Sequence, residues 1–267
     1  MAKGFKRISL IGVEVDVFSE KELLHSIIDT SCHEKSVIVG HHNLHSIWTC
    51  YHDDKMRVFY KQAKYIYIDG MPIIWIGRLF SHKINKKHRL TSLDWIIKFL
   101  QLCHENDRNV FLLGSKPGVA EKAVDVFNRE IPGLKLRFHH GYFNKDADSP
   151  ENMAVLHAIN SFNTHVLLVG MGMPIQENWI AENINRLNVN VAWALGAYMD
   201  YFAGVKPLPP RWMGRIGLEW LSRLCCEPSR LWRRYLIEPW FILFLIARYI
   251  IQRLLTTQKG VTHGKLQ

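Results

Sequence analysis

Asp69 closes a strongly apolar run, YIYID (65–69), and is followed by a glycine and by Pro72 in the first turn of a helical pattern. A carboxylate at the mouth of a sheet is partly desolvated, which raises its proton affinity toward that of a general base. The same position suits an N-cap for the following helix, and spacing alone leaves both roles open. Two other strand-like runs end in glycines just before a helix, at GSKPG (114–118) and GMGMP (170–174). Free N–H groups and the helix dipole at such junctions favour phosphate, so Gly114, Ser115, Gly170 and Gly172 are candidate contacts for a nucleotide-type ligand. Neither loop is a GxGxxG or a Walker A sequence, and a plain tight turn explains either one alone. Gln176 and Glu177 follow the second loop in the first helical turn, where an acidic residue also suits the helix dipole.

His41, His42 and His45 cluster, and His139 and His140 form a pair. His41 and His45 are four apart but straddle an expected strand-to-helix junction, so a shared metal is not the favoured reading. Asp146-Ala147-Asp148 spells DxD, a pattern of metal-dependent nucleotide-sugar enzymes. It lies in the polar loop NKDADSPEN, where solvated acids are the rule, and no metal site is assigned.

The elements that must hold these residues alternate in type. ISLIGVEVDV (8–17) carries a central glycine and predicts a hairpin. Ser19 and Glu22 form a capping box that starts a helix. SVIVG (36–40) predicts a strand, NLHSIWTCYHDDKMRVFYKQA one or two helices, and TSLDWIIKFLQLCHEN a helix with Thr91 and Asp94 in capping positions. NVFLLG (109–114) and HVLLVG (165–170) each lead through a glycine turn into a helix, a further helix is expected from about Pro150, and VNVAWALG (189–196) is another buried strand. Continuous apolar strands alternating with helices predict an α/β fold, a Rossmann-like parallel sheet with helices on both faces. Ligands of such sheets sit at the carboxyl ends of the strands, where all three loops lie. The pattern stops near VKPLPP (205–210), which divides the chain into an α/β core (1–204) and a basic, Trp- and Arg-rich helical appendage (205–267).

The net charge is +10, and it is local: residues 201–267 hold 11 Lys and Arg against 3 acidic residues. A basic surface of this kind meets phosphates, in nucleic acid or anionic lipid. Five cysteines without a CxxC pair predict neither a zinc ribbon nor a disulfide framework. The N-terminus lacks an apolar stretch of signal-peptide length, which argues for a cytoplasmic protein.

Several segments together resemble the WecG/TagA/CpsF glycosyltransferases: VLLVGMGMPIQENWI, GAYMDYFAG and PPRWMGRIGLEWLSRLCCEPSRLWRRYL, with IDGMPIIWIGR, LLGSKPGVAEKA and HHGYF in place. The resemblance covers nearly the whole chain up to about Leu236. It implies an inverting enzyme on the cytoplasmic face of the membrane, moving a sugar from a UDP-sugar to a polyprenyl-diphosphate-linked sugar in cell-surface polysaccharide synthesis. It implies no metal and no other cofactor. Asp69 falls on the family's proposed base, and Gln176 and Glu177 on its Q-E pair, beside the glycine-loop contacts to the donor. Asn43, Arg89, Arg211, Arg230, Arg233 and Arg234 fall on positions suited to the acceptor and its diphosphate. Three departures stand out: His41 replaces a threonine near the acceptor, where a histidine can itself act as donor or base; Leu208-Pro209-Pro210 replaces R-A-P; and D-G-M-P lacks the second glycine of D-G-x-G. Exopolysaccharide, teichoic acid linkage-unit and common-antigen products all occur among relatives, and the missing threonine with the longer apolar tail leans toward the first.

The tail past Leu236 is apolar but short of a span: the uninterrupted run (239–247) is nine residues, against the ~20 that cross a bilayer. An appendage docked in the interfacial region, with arginines at anionic headgroups, is the expected arrangement. Self-association into a homo-oligomer is the other way to cover such a tail. A nicotinamide-type oxidoreductase is disfavoured by the glycine loops. A nucleic-acid binder is disfavoured by an apolar run too long for a phosphate-tracking groove.

Overall fold

The computed structural model describes residues 5–208 and 210–263, with side chains at all of these except 211, 212, 215, 254 and 256–263. Strands β1 (Lys6–Leu10) and β2 (Val13–Val17) form the expected antiparallel hairpin. The main sheet contains β3 (Val37–His42), β4 (Ala63–Ile68), β5 (Val110–Gly114), β6 (Leu136–His139), β7 (Val166–Gly170) and β8 (Val191–Ala194), in the order β4-β3-β8-β7-β5-β6. Every pairing in it is parallel, so the Rossmann-like α/β architecture is the one found.

Alternate strand residues feed two separate cores. Val39, Tyr67, Leu112, Leu168 and Trp193 face one side, against α1 (Glu20–His33), α5 (Ser92–Glu105) and α6 (Val119–Glu130). Ile38, Ile66, Leu113, Val169 and Ala194 face the other, against α3 (Asp54–Gln62), α7 (Pro150–Ser161) and α8 (Ile175–Asn183). Burial on both faces is why these strands read as unbroken apolar runs. The Ser19–Glu22 capping box forms as expected, with both reciprocal bonds in place.

The hairpin shields the edge strand β4. Asp16 is fully buried, binds Arg7 at 2.7 Å, and accepts the backbone N–H of Ile66 at 2.7 Å. A side chain thus takes the place of the missing neighbour strand, one way of blunting an open edge.

The ends of β5, β7 and β8 converge closely. A Cβ on Gly114, whose φ is +152°, would lie 2.3 Å from the Gly170 carbonyl oxygen, and one on Gly170 would lie 2.7 Å from that of Gly196. Gly114→Ala is therefore expected to cost about 3 kcal/mol from strain and overpacking, read as a lower urea midpoint.

The other α-helices among the described residues are α2 (Leu44–His52) and α4 (Met71–Leu79) in the core, then α11 (Glu219–Cys226), α12 (Pro228–Leu236) and α13 (Glu238–His263), preceded by the short α9 (Tyr198–Phe202) and α10 (Arg211–Ile216). By length and composition the stretch Pro228–Arg253 is apolar enough to cross a membrane, with 17% of its most apolar window buried. It is not one unsupported rod, because α12 ends at Leu236 and α13 begins at Glu238. Ile242 and Leu245 of α13 are buried against the hairpin, α2 and α4, with Phe241, Ile246 and Tyr249 packed beside them. Trp240, Leu243, Phe244 and Ile251 remain exposed. The all-round apolar character of 240–246 is thus divided between a protein-facing and an outward side.

Candidate active site

Four neighbouring strands, β4, β3, β8 and β7, end at a cleft of about 560 Å³, roofed by α11 and α12. A second groove of about 360 Å³ runs between the start of α4 and the appendage. The two share Asn43, His45, Asp69, Arg223, Arg234 and Tyr235, so Asp69 stands where they meet.

Strand β3 runs two residues beyond its apolar stretch, and its pleat separates the two histidines. His42 is buried and stacked on Tyr60, with Nδ1 2.8 Å from Ser46 Oγ; burial pushes its pKa down to about 3. His41 lines the cleft. Its Nδ1 lies 3.1 Å from the Ala194 carbonyl, which can only accept, so Nδ1 carries the proton and Nε2 offers a lone pair. Burial first of all lowers the His41 pKa, partly opposed by Asp69, and keeps the ring neutral.

Asp69 is held by a ladder extension, its N–H donating to the His42 carbonyl at 2.9 Å. The N-cap of α4 is Gly70, with φ +111° and no side-chain cap bond, so the Asp69 carboxylate does not cap that helix. Thr91, expected to cap α5, makes no cap bond and turns its hydroxyl to Asp69 Oδ1 at 3.3 Å. Oδ2 faces His41 Nε2 at 3.8 Å, too far for a direct hydrogen bond. With His41 neutral, two acceptors face one gap, and a hydroxyl in that gap finds an acceptor on either side.

The other expected contacts are distributed unevenly. Gly172 lies in the cleft wall, with φ +83°. Gln176 is fully buried at the cleft floor and spans two loops: Oε1 accepts from Gly172 N at 3.2 Å and Gly196 N at 3.0 Å, while Nε2 donates to Glu177 Oε1 at 2.8 Å. Glu177 is 1% exposed and does not line the cleft; its Oε2 has no hydrogen-bond partner among the described residues, and burial raises its pKa to about 7. Gly114 ends β5 and Ser115 follows it, one strand outside the four that form the cleft, and Ser115 donates to Asp200 instead. Gly170 serves the close approach of strand ends described above. Asn43 caps α2 through Ser46 N at 3.0 Å while lining both cavities.

Among the arginines, Arg89 lies in the groove, 3.1 Å from Glu219 and 3.5 Å from Asp94. Arg230 and Arg233 line the cleft, Arg230 paired with Glu227 and Arg233 set over the Trp232 ring at 5.2 Å. Arg234 borders both cavities, and burial lowers its pKa, with Arg223 acting in the same direction. The Arg211 side chain lies outside the described residues. Arg223, which sequence reasoning missed although it lies inside the tail motif, borders both cavities with a buried Nε that has no hydrogen-bond partner among the described residues. A guanidinium N–H left unpaired beside a second arginine invites an anion. Lys206, also missed, bridges Asp200 at 3.0 Å and Glu227 at 2.9 Å.

Residues 205–267 contain three acidic residues, and each meets a basic side chain at the rim, two of them on the core. Glu219 opens α11 and meets Arg89; Glu227 directly precedes α12 and meets Lys206; Glu238 opens α13 and meets His45 at 2.8 Å. Each sits at a helix N-terminus, where the dipole favours it, and together they seat the basic appendage over the strand ends. No group of three or more His, Cys, Asp or Glu side chains among the described residues is placed to hold a metal. His45 is engaged by Glu238, His139 Nδ1 lies 2.7 Å from the His140 carbonyl, and Asp146 and Asp148 lie exposed in their loop.

Two comparisons bear on this arrangement. N-acetylglucosaminyldiphosphoundecaprenol N-acetyl-beta-D-mannosaminyltransferases of Staphylococcus aureus strains NCTC 8325 / PS 47 and COL are each 30% identical to this chain over 174 residues, 64% of its length. The match spans 65% of the length of each relative. The model of the glycosyl transferase WecG/TagA/CpsF family matches residues 8–256, from the hairpin through most of α13. The chain belongs to the WecG/TagA/CpsF family of glycosyl transferases.

Proposed function

We propose that the protein transfers a sugar from a UDP-sugar to a polyprenyl-diphosphate-linked sugar, with inversion and without a metal, in the synthesis of a bacterial cell-surface polysaccharide. The observation that carries this reading is Asp69 at the junction of two cavities, under a roof of arginines. The glycine-loop cleft takes the donor, and the groove with Arg89 and Arg223 takes the acceptor diphosphate. The S. aureus relatives are named for an acceptor of that type, N-acetylglucosaminyldiphosphoundecaprenol.

In the reaction the acceptor oxygen attacks the anomeric carbon as the bond to UDP breaks. The hydroxyl proton passes to Asp69 Oδ2, and neutral His41 leaves that carboxylate free of a competing cation. UDP departs with one more negative charge, which the start of α8 and the cleft arginines receive. Planar guanidinium groups bind two diphosphate oxygens at once, so Arg89 and Arg223 suit the acceptor.

The exposed Trp240, Phe244 and Arg248 of α13 support a position on the inner face of the membrane, with the helix in the interfacial plane. Product formation from a panel of UDP-sugars and a polyprenyl-diphosphate-GlcNAc acceptor, with and without chelator, tests the proposal. Chelator-insensitive transfer from one UDP-sugar is the expected result; absence of transfer from every donor would sink it.

A further inference from the structure

We propose that the lipid-facing surface is not the appendage alone: core helix α4 and the basic loop after it form a second half of the footprint against an anionic bilayer. This rests on the membrane placement proposed above and extends it to the core.

Helix α4, MPIIWIGRL, is apolar almost all round. Met71, Ile73, Ile74, Ile76 and Gly77 are buried, while Trp75 and Leu79 are 49% and 58% exposed. With half-buried Pro72 they lie three and four residues apart, on one outward face. A helix apolar on all sides belongs inside a protein or against lipid, and this outward half is not inside. A single exposed apolar residue needs no explanation; contiguity does. The Trp75 ring lies against Gly217, just before α11, where an added Cβ would come within 2.9 Å of it. At the other end of α4, Phe80 meets Tyr249 of α13 with ring centroids 4.7 Å apart. Helix α4 therefore adjoins the two appendage helices whose Trp220, Leu221, Trp240 and Phe244 are exposed.

Charge identifies the occupant. SHKINKKH (81–88) follows α4 directly, and Lys83 and Lys87 are exposed. Arg248 of α13 is exposed as well. Tryptophans and leucines flanked by cations suit an anionic headgroup layer. A second copy of this chain would bring like charges together. The groove, bordered by Pro72 on α4 and Trp220 on α11, opens between the two halves. A lipid-linked acceptor would then enter from the bilayer with its diphosphate toward Arg89 and Arg223.

Co-sedimentation of the full chain with phosphatidylglycerol-containing and pure phosphatidylcholine vesicles tests this, using three double variants. Trp75→Gln with Leu79→Gln is expected to weaken vesicle binding about tenfold. Lys83→Ser with Lys87→Ser is expected to weaken binding to the anionic vesicles about 30-fold and to leave phosphatidylcholine binding unchanged. Trp240→Gln with Phe244→Gln reports on the appendage half. Turnover of a water-soluble short-chain acceptor and the thermal midpoint are expected to stay at wild-type values in all three. Wild-type vesicle binding by both α4-region variants, with release of the α13 variant, overturns the two-part footprint and leaves the appendage reading standing. Failure of the wild type to bind anionic vesicles overturns both. Conversion of an oligomer to monomers by the Trp75 and Leu79 changes, with vesicle binding intact, assigns the face to self-association and overturns the proposal.

Discussion

Asp69→Asn is expected to lower sugar transfer by about 10²–10⁴-fold while leaving the fold in place. The asparagine keeps the shape of the side chain and can still accept from Thr91, whose hydroxyl lies 3.3 Å from Oδ1. It loses the second carboxylate oxygen that faces His41 at 3.8 Å, and with it the proton acceptor. Because Gly70 rather than Asp69 caps α4, no helix end is uncapped by the change. Turnover measured beside a thermal melt separates the two roles that spacing alone left open. A large loss of turnover at an unchanged midpoint identifies a base; full activity would return Asp69 to a structural role and move attention to His41. The wild-type rate should also fall on the acid side as His41, whose pKa burial lowers below 6.5, takes up a proton and pairs with Asp69. Asp69→Asn removes that partner, so any residual activity should lose this acid limb.

Glu177→Gln is expected to act on stability, and in a pH-dependent way. Burial raises the Glu177 pKa from 4.5 to about 7 in the folded protein. The folded state therefore holds a proton that the unfolded chain releases near pH 4.5. The native state binds more protons between these values, so stability is fullest below pH 4.5, falls as pH rises to about 7, and is level above that. A displacement of this size corresponds to on the order of 3 kcal/mol. Glutamine carries no charge, keeps an oxygen for Gln176 Nε2, and removes the pH-dependent loss. The variant should match wild type near pH 4 and exceed it by about 3 kcal/mol at pH 8 in urea unfolding. Equal slopes in the two proteins would mean that the carboxyl is not the buried neutral acid inferred from its unpartnered Oε2.

Much of the scaffold was legible because its signals are local. The Ser19–Glu22 capping box, the glycine turns after NVFLLG and HVLLVG, and the apolar strands are contained within a few residues each, and each formed as read. The tail motif placed arginines near the site for the same reason. Local reading reached less far where a side chain had several partners to choose from. Thr91 looked like a cap and turned to Asp69; Ser115 looked like a phosphate contact and turned to Asp200. Gln176 and Glu177 sit in the first turn of α8 as expected, yet both are buried, Gln176 holding two loops together and Glu177 accepting from Gln176.

The sequence by itself determined a parallel α/β sheet, the glycine loops at its strand ends and the basic character of its tail, since these depend on residue type and short-range spacing. Only the tertiary structure decided which strand ends share a cleft. The order β4-β3-β8-β7-β5-β6 puts His41, Asp69 and Gly172 together and leaves Ser115 one strand away. It also decided how the appendage is seated, through Glu219 on Arg89 and Glu238 on His45, pairs 130 and 193 residues apart. Strand order and ion pairs across such separations arise from packing whole elements against one another, and no short stretch of the chain encodes them.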